Sequence, residues 1–120
     1  MKYRLLAAAA AMVALSSIAF AHTHLKTSMP ADKEVLAAAP SKIMLHFSAP
    51  TRLTALTIKM DGESAERKLG PLPKEALAEF TVPLTPPPAP GKYTVTWRAM
   101  GGDNHVMSGD LHFTVGPGEQ

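Results

Sequence analysis

Five stretches of the chain alternate between apolar and polar side chains with a period of two. In SKIMLHFS (residues 41–48), Ile43, Leu45 and Phe47 share one face, while Met44, His46 and Ser48 share the other. LTIKM (56–60) aligns Leu56, Ile58 and Met60, and EFTVPL (79–84) aligns Phe80, Val82 and Leu84. KYTVTWRAM (92–100) sets Tyr93, Val95, Trp97 and Ala99 against Thr94, Thr96, Arg98 and Met100. DLHFTV (110–115) sets Leu111, Phe113 and Val115 against Asp110, His112 and Thr114. Such alternation marks strands with one buried and one wetter face. With a further strand through HLKTSMP (24–30), the pattern predicts an all-β chain folded as a small β-sandwich. Pro30, Pro40, Pro50, Asp61-Gly62, Gly70-Pro71 and the run from Pro86 to Gly91 fall between these stretches and predict turns. ADKEVLAAAP (31–40) is expected to hold a short helical turn closed by Pro40, and the proline run reads as a stiff surface turn.

The first residues follow a different rule. Lys2 and Arg4 precede an apolar run from Leu5 to Leu15, followed by Ser16-Ser17 and the small-residue motif Ala19-Phe20-Ala21. This is the layout of a secretory signal peptide, and the apolar run is shorter than the roughly 20 residues a spanning helix needs. Residues 1–21 are therefore expected to be removed on export, leaving one domain over 22–120 that begins at His22. That cleavage removes two of the twelve basic residues and leaves ten against ten carboxylates. A near-neutral domain carries no electrostatic footprint for nucleic acid. The chain has no cysteine, which excludes disulfides and thiol chemistry.

Among five histidines, His46 and His112 alternate with core positions and read as solvated side chains. His22, His24 and His105 lie at the expected chain start or in a turn, where binding residues concentrate. An N-terminal histidine can grip a metal through its α-amine and imidazole Nδ1 together. The amine has a pKa of about 7.7–8.0, so its deprotonation near neutral pH costs little. A further imidazole would complete a nitrogen-rich set that suits Cu(II). GGDNHVMSGD (101–110) offers one: Asp103 and His105 are two residues apart, on the same face of an extended segment, in the loop before the last strand. An Asp-x-His spacing by itself is weak and commonly just a polar turn. A histidine freed by cleavage makes the combination more specific.

The segments AHTHLKTSMPAD, APSKIMLHFSAP and PGKYTVTWRAMGGDNHVMSGDLHFTV together resemble the CopC family of periplasmic copper-resistance proteins. The resemblance implies a Greek-key β-sandwich, immunoglobulin-like or cupredoxin-like, that binds copper. It also implies the ligands by position: the amine and imidazole of His22, the Asp103 carboxylate and the His105 imidazole, holding one Cu(II) per chain. A membrane partner of the CopD type is implied as well. Two departures stand out. Ala49 occupies the position where many relatives have Glu, and Asp103-Asn104-His105 replaces their usual Asp-Gly-His. Some relatives carry a methionine-rich loop for Cu(I). The corresponding stretch, residues 59–80, contains only Met60, so one Cu(II) site and no dedicated Cu(I) site are expected.

Three other readings compete. His22-Thr23-His24 could bind Cu(II) locally through the amine, two backbone amides and His24, which needs a flexible terminus. A copper ion on an N-terminal histidine also resembles the histidine brace of lytic polysaccharide monooxygenases. With one Trp and two Tyr, the chain has little aromatic surface for a polysaccharide, and it is expected not to be an enzyme. The last is a plain β-sandwich without metal.

Overall fold

The computed structural model describes residues 23–117; the expected signal peptide and His22 lie outside the described residues. Seven strands follow one another: β1 (Leu25–Met29), β2 (Glu34–Leu36), β3 (Lys42–Met60), β4 (Arg67–Lys68), β5 (Leu77–Pro83), β6 (Gly91–Gly101) and β7 (Val106–Val115). All five alternating stretches and the N-terminal strand lie on these elements, and the architecture is the expected β-sandwich.

The two layers share β3. Its first half pairs antiparallel with β1 on one edge and β5 on the other. Its second half pairs with β4 and β6, and the layer continues through β7 to β2. The sequence pattern predicts two strands here, separated at Pro50. Instead the chain runs on through a bend. Pro50, which lacks an N–H, lies in the gap between the His46↔Glu79 and Thr51↔Leu77 partners of β5, a place where a proline forfeits no ladder bond. A second irregularity between Leu53 and Ala55 shifts the register against β6. It brings both Leu53 and Leu56 into the core, although their spacing of three breaks the alternation.

The segment expected to be a helical turn folds otherwise. The amide of Glu34 donates to the carbonyl of Ala31 (3.1 Å), closing a single turn. Lys33 then adopts φ of 73°, a left-handed conformation that a helix cannot propagate. Residues 34–36 leave as β2 and pair in parallel with β7 through Glu34↔Phe113 and Leu36↔Val115.

The alternating residues form the core. Ile43, Leu45, Phe47, Leu56, Ile58, Phe80, Val82, Leu84, Val95, Ala99, Leu111, Phe113 and Val115 are all buried, as are Tyr93 and Trp97. Each large side chain removed from water contributes about 1.5–3 kcal/mol. Phe47 joins the layers: its ring meets Trp97 edge-on at 5.2 Å and Phe80 at 6.0 Å, the arrangement that aromatic quadrupoles favour. Tyr93 stacks on Phe113 at 5.4 Å and donates its hydroxyl to the Ala89 carbonyl. That bond fastens the proline-rich turn to the start of β6.

Trp97 explains a glycine. In the β6–β7 ladder its partner is Gly109, and the indole lies across that residue so closely that a Cβ there would come within 2.7 Å of Cζ2 and 2.9 Å of Cε2. Gly109→Ala must displace the indole or the strand, and overpacking of this kind costs about 1–3 kcal/mol. The variant is expected to unfold at lower temperature or denaturant concentration than the parent. An unchanged midpoint would contradict the close packing of Trp97 on β7.

Candidate metal-binding site

The loop between β6 and β7 is a short, well-bonded turn. The amide of Asn104 donates to the Gly101 carbonyl (2.9 Å), and the amide of Gly101 donates to the His105 carbonyl (3.0 Å). Asn104 has φ of 68°, a left-handed conformation that Asn tolerates better than most residues with a Cβ. This accounts for Asn at a position where the family resemblance leads one to expect Gly. The backbone requirement is the same and Asn meets it.

This turn brings Asp103 and His105 together as the spacing predicts. Asp103 Oδ2 lies 2.6 Å from His105 Nδ1, and Asp103 Oδ1 accepts the backbone N–H of His105 at 3.1 Å. Both side chains are largely exposed, His105 at 73% and Asp103 at 62%, so the pair faces solvent where an ion can reach it. The side-chain hydrogen bond from His105 leads in holding the Asp103 carboxyl below the ordinary carboxylate range, and the backbone N–H of His105 adds to it. A carboxylate that orients an imidazole in this way is a common support for a metal-ligating histidine.

The start of the described chain reaches the same place. A Cβ on Gly101 would lie 3.2 Å from Asp103 Oδ1, 3.8 Å from Thr23 Oγ1 and 3.8 Å from the Met107 methyl. Thr23, the Asp103 carboxylate and Met107 therefore converge around one glycine. The next residue is also fixed. His24 donates its N–H to Ser48 Oγ at 2.9 Å and accepts the Ser48 N–H through its carbonyl at 2.8 Å. Ala49, half-buried, follows Ser48 at the bend of β3. Among the described residues no group of three or more His, Cys, Asp or Glu side chains is placed to hold a metal ion; His22, the third expected ligand residue, lies outside the described residues.

The remaining histidines lie elsewhere. His112, on the outer face of β7, meets Asp32 through its backbone N–H at 2.8 Å and its Nδ1 at 3.3 Å. That backbone bond is the leading cause of a lowered Asp32 pKa. His46 is half-buried on the outer face of β3, and its neighbours there are not evident from one-strand patterning.

The described chain is thus a β-sandwich with an exposed carboxylate–imidazole pair beside the start of its first strand. Residues 25–116 match the CopC domain, and the chain belongs to that family. It is 36% identical over 108 residues to copper resistance protein C of Escherichia coli, spanning 81% of this chain and 83% of that protein. It is 33% identical to copper resistance protein C of Pseudomonas syringae pv. tomato, spanning 88% and 90%. The crystal structure of CopC from Methylosinus trichosporium OB3b superposes with a TM-score of 0.67 at 28% identity, covering 82% of this chain and 98% of that one. PcoC, a methionine-rich copper resistance protein from Escherichia coli, gives a TM-score of 0.59 at 31% identity, covering 79% and 99%. Among the described residues no helix is long and apolar enough to cross a membrane.

The depressed Asp103 pKa has a sign that can be tested in the metal-free protein. A carboxylate with a lowered folded-state pKa contributes stability that is present above its unfolded pKa and is lost as pH falls through the folded value. His105→Ala removes the leading cause, so the Asp103 carboxyl should titrate at higher pH in the variant, measured by carboxyl carbon shifts. An unmoved titration would contradict the pairing.

Proposed function

We propose that this protein is a periplasmic Cu(II) carrier or sequestering protein that holds one ion through the amine and imidazole of mature His22, the Asp103 carboxylate and the His105 imidazole. The observation that carries the reading is the packing of Thr23 against Gly101 beside the Asp103 carboxylate. Thr23 Oγ1 and Asp103 Oδ1 both lie close to the position of a Gly101 Cβ, which supports a donor one residue earlier in the sequence joining the Asp103–His105 pair. Removal of residues 1–21 turns the amide nitrogen of His22 into an amine and supplies the donor that the precursor lacks. Two imidazoles, an amine and a carboxylate form the tetragonal nitrogen and oxygen set that Cu(II) favours.

The family relationship supports copper as the cargo, and its named relatives are copper resistance proteins. A role in binding and transfer, with no catalysis, agrees with those names and with a Trp97 that is buried and so removed from any saccharide-binding surface. The site, at the exposed mouth of the sandwich, would be accessible to a membrane transporter of the CopD type. The local His22-Thr23-His24 motif fits less well. It requires the His24 amide nitrogen to lose its proton and turn to copper, whereas that N–H is engaged by Ser48 in a strand-like pair of bonds.

Two variants of the exported protein separate these sites. His105→Ala should weaken Cu(II) binding by at least about tenfold, a loss seen even for residues that only support a ligand, and remove one nitrogen from the electron paramagnetic resonance pattern. His24→Ala should leave affinity and spectrum unchanged. The opposite pair of results would assign copper to the local motif and overturn the proposal.

A further inference from the structure

The outer face of the β1–β3–β5 layer gathers soft ligands that are scattered in the sequence. Met29 pairs directly with Met44, and Thr27 with His46, across β1 and β3. On the other side of β3, His46 faces Glu79 of β5. Met44 and His46 are two residues apart and alternate with the buried Ile43, Leu45 and Phe47, so both point outward. Thr27, Met29, Met44, His46 and Glu79 line a groove of about 250 Å³.

We propose that this groove is a second metal site, one for a soft monovalent cation of the Cu(I) or Ag(I) type, held by the thioethers of Met29 and Met44 and the imidazole of His46. Directly opposed residues of an antiparallel pair hold their Cβ atoms about 4.5–5.5 Å apart, and Met has three rotatable side-chain bonds, so two sulfurs from this pair can close on one ion. His46 is about 7 Å along the strand from Met44, within reach of the same point. Two thioethers and an imidazole form a neutral, soft set that favours such a cation over hard or divalent ions. Glu79 stands beside His46 to offset the charge of the ion.

The usual role of Met, filling gaps in a core, does not account for this pair. Met29 is 56% exposed, on a face with no layer packed over it among the described residues, and the groove around it joins the apolar Met44, Leu45 and Phe80 to the polar Thr27, His46 and Glu79. The groove is also distinct from the Cu(II) site. Met29 is six residues beyond Thr23, which is about 20 Å along an extended strand. Nor does it correspond to the methionine-rich loop of some relatives, because the equivalent stretch contains only Met60. The expectation of no dedicated Cu(I) site rests on the single Met60 of that stretch and on methionines scattered in sequence, whereas the strand register sets Met29 opposite Met44.

Silver(I) serves as the probe, with the purified protein carrying 13C-labelled methionine methyl groups. One equivalent of Ag(I) should shift the Met29 and Met44 methyl signals and the His46 ring signals, saturating together. In the Met29→Leu, Met44→Leu double variant, which preserves apolar bulk, Ag(I) affinity should fall about tenfold or more, the scale of losing a supporting metal contact. The Cu(II) spectrum should be unchanged in that variant, so failure here is separable from failure of the Cu(II) assignment. If the Met29 and Met44 signals stay still on titration, or the double variant binds Ag(I) as the parent does, the site does not exist.

Discussion

The bend of β3 at residues 48–51 holds together the end of the molecule that carries Asp103 and His105. Ser48, on one side of it, is bonded twice to His24 and so fixes the start of the first strand. Thr51, on the other side, is fully buried, donates its hydroxyl to the Met100 carbonyl at 2.9 Å and pairs with Gly101. Two residues of one strand, Ser48 and Thr51, thus tie the chain start and the β6–β7 loop to the same short piece of backbone. A β3 broken at Pro50 would leave these two segments in separate layers with nothing to set their distance.

The core exists to keep that bend in place. Phe47 immediately precedes it and touches Phe80 in one layer and Trp97 in the other. Trp97 in turn packs closely on Gly109 of β7, in the same hairpin whose loop carries Asp103 and His105. The loop itself needs little further support, because the Asp103–His105 bonds and the left-handed Asn104 shape it locally.

Much of this was legible in the sequence because strands with one dry face write their period directly into the chain. The buried alternating residues and the Asp103–His105 pair, a local feature two residues apart, followed from that. What was not legible depends on contacts between distant strands. The continuity of β3 through Pro50 requires knowing that its edges change partners there. The inward turn of Leu53 requires the register shift against β6, and β2 requires the edge of β7 to lie beside residues 34–36. The Met29, Met44 and His46 groove has the same origin: each residue looks ordinary within its own strand, and only cross-strand register makes them neighbours. The role proposed for His22 is legible only as chemistry, since it depends on a peptide bond being cut.

In the proposed site, cleavage after Ala21 gives His22 the amine that joins Asp103 and His105 as donors. This is tested most directly by measuring Cu(II) affinity for two purified forms of the same domain, one beginning at His22 and one retaining Ala21. The account predicts that a single added residue, which removes the amine from His22 while leaving every side chain in place, weakens Cu(II) binding by at least about tenfold and changes the coordination seen by electron paramagnetic resonance. Equal affinity and identical spectra in the two forms would contradict it.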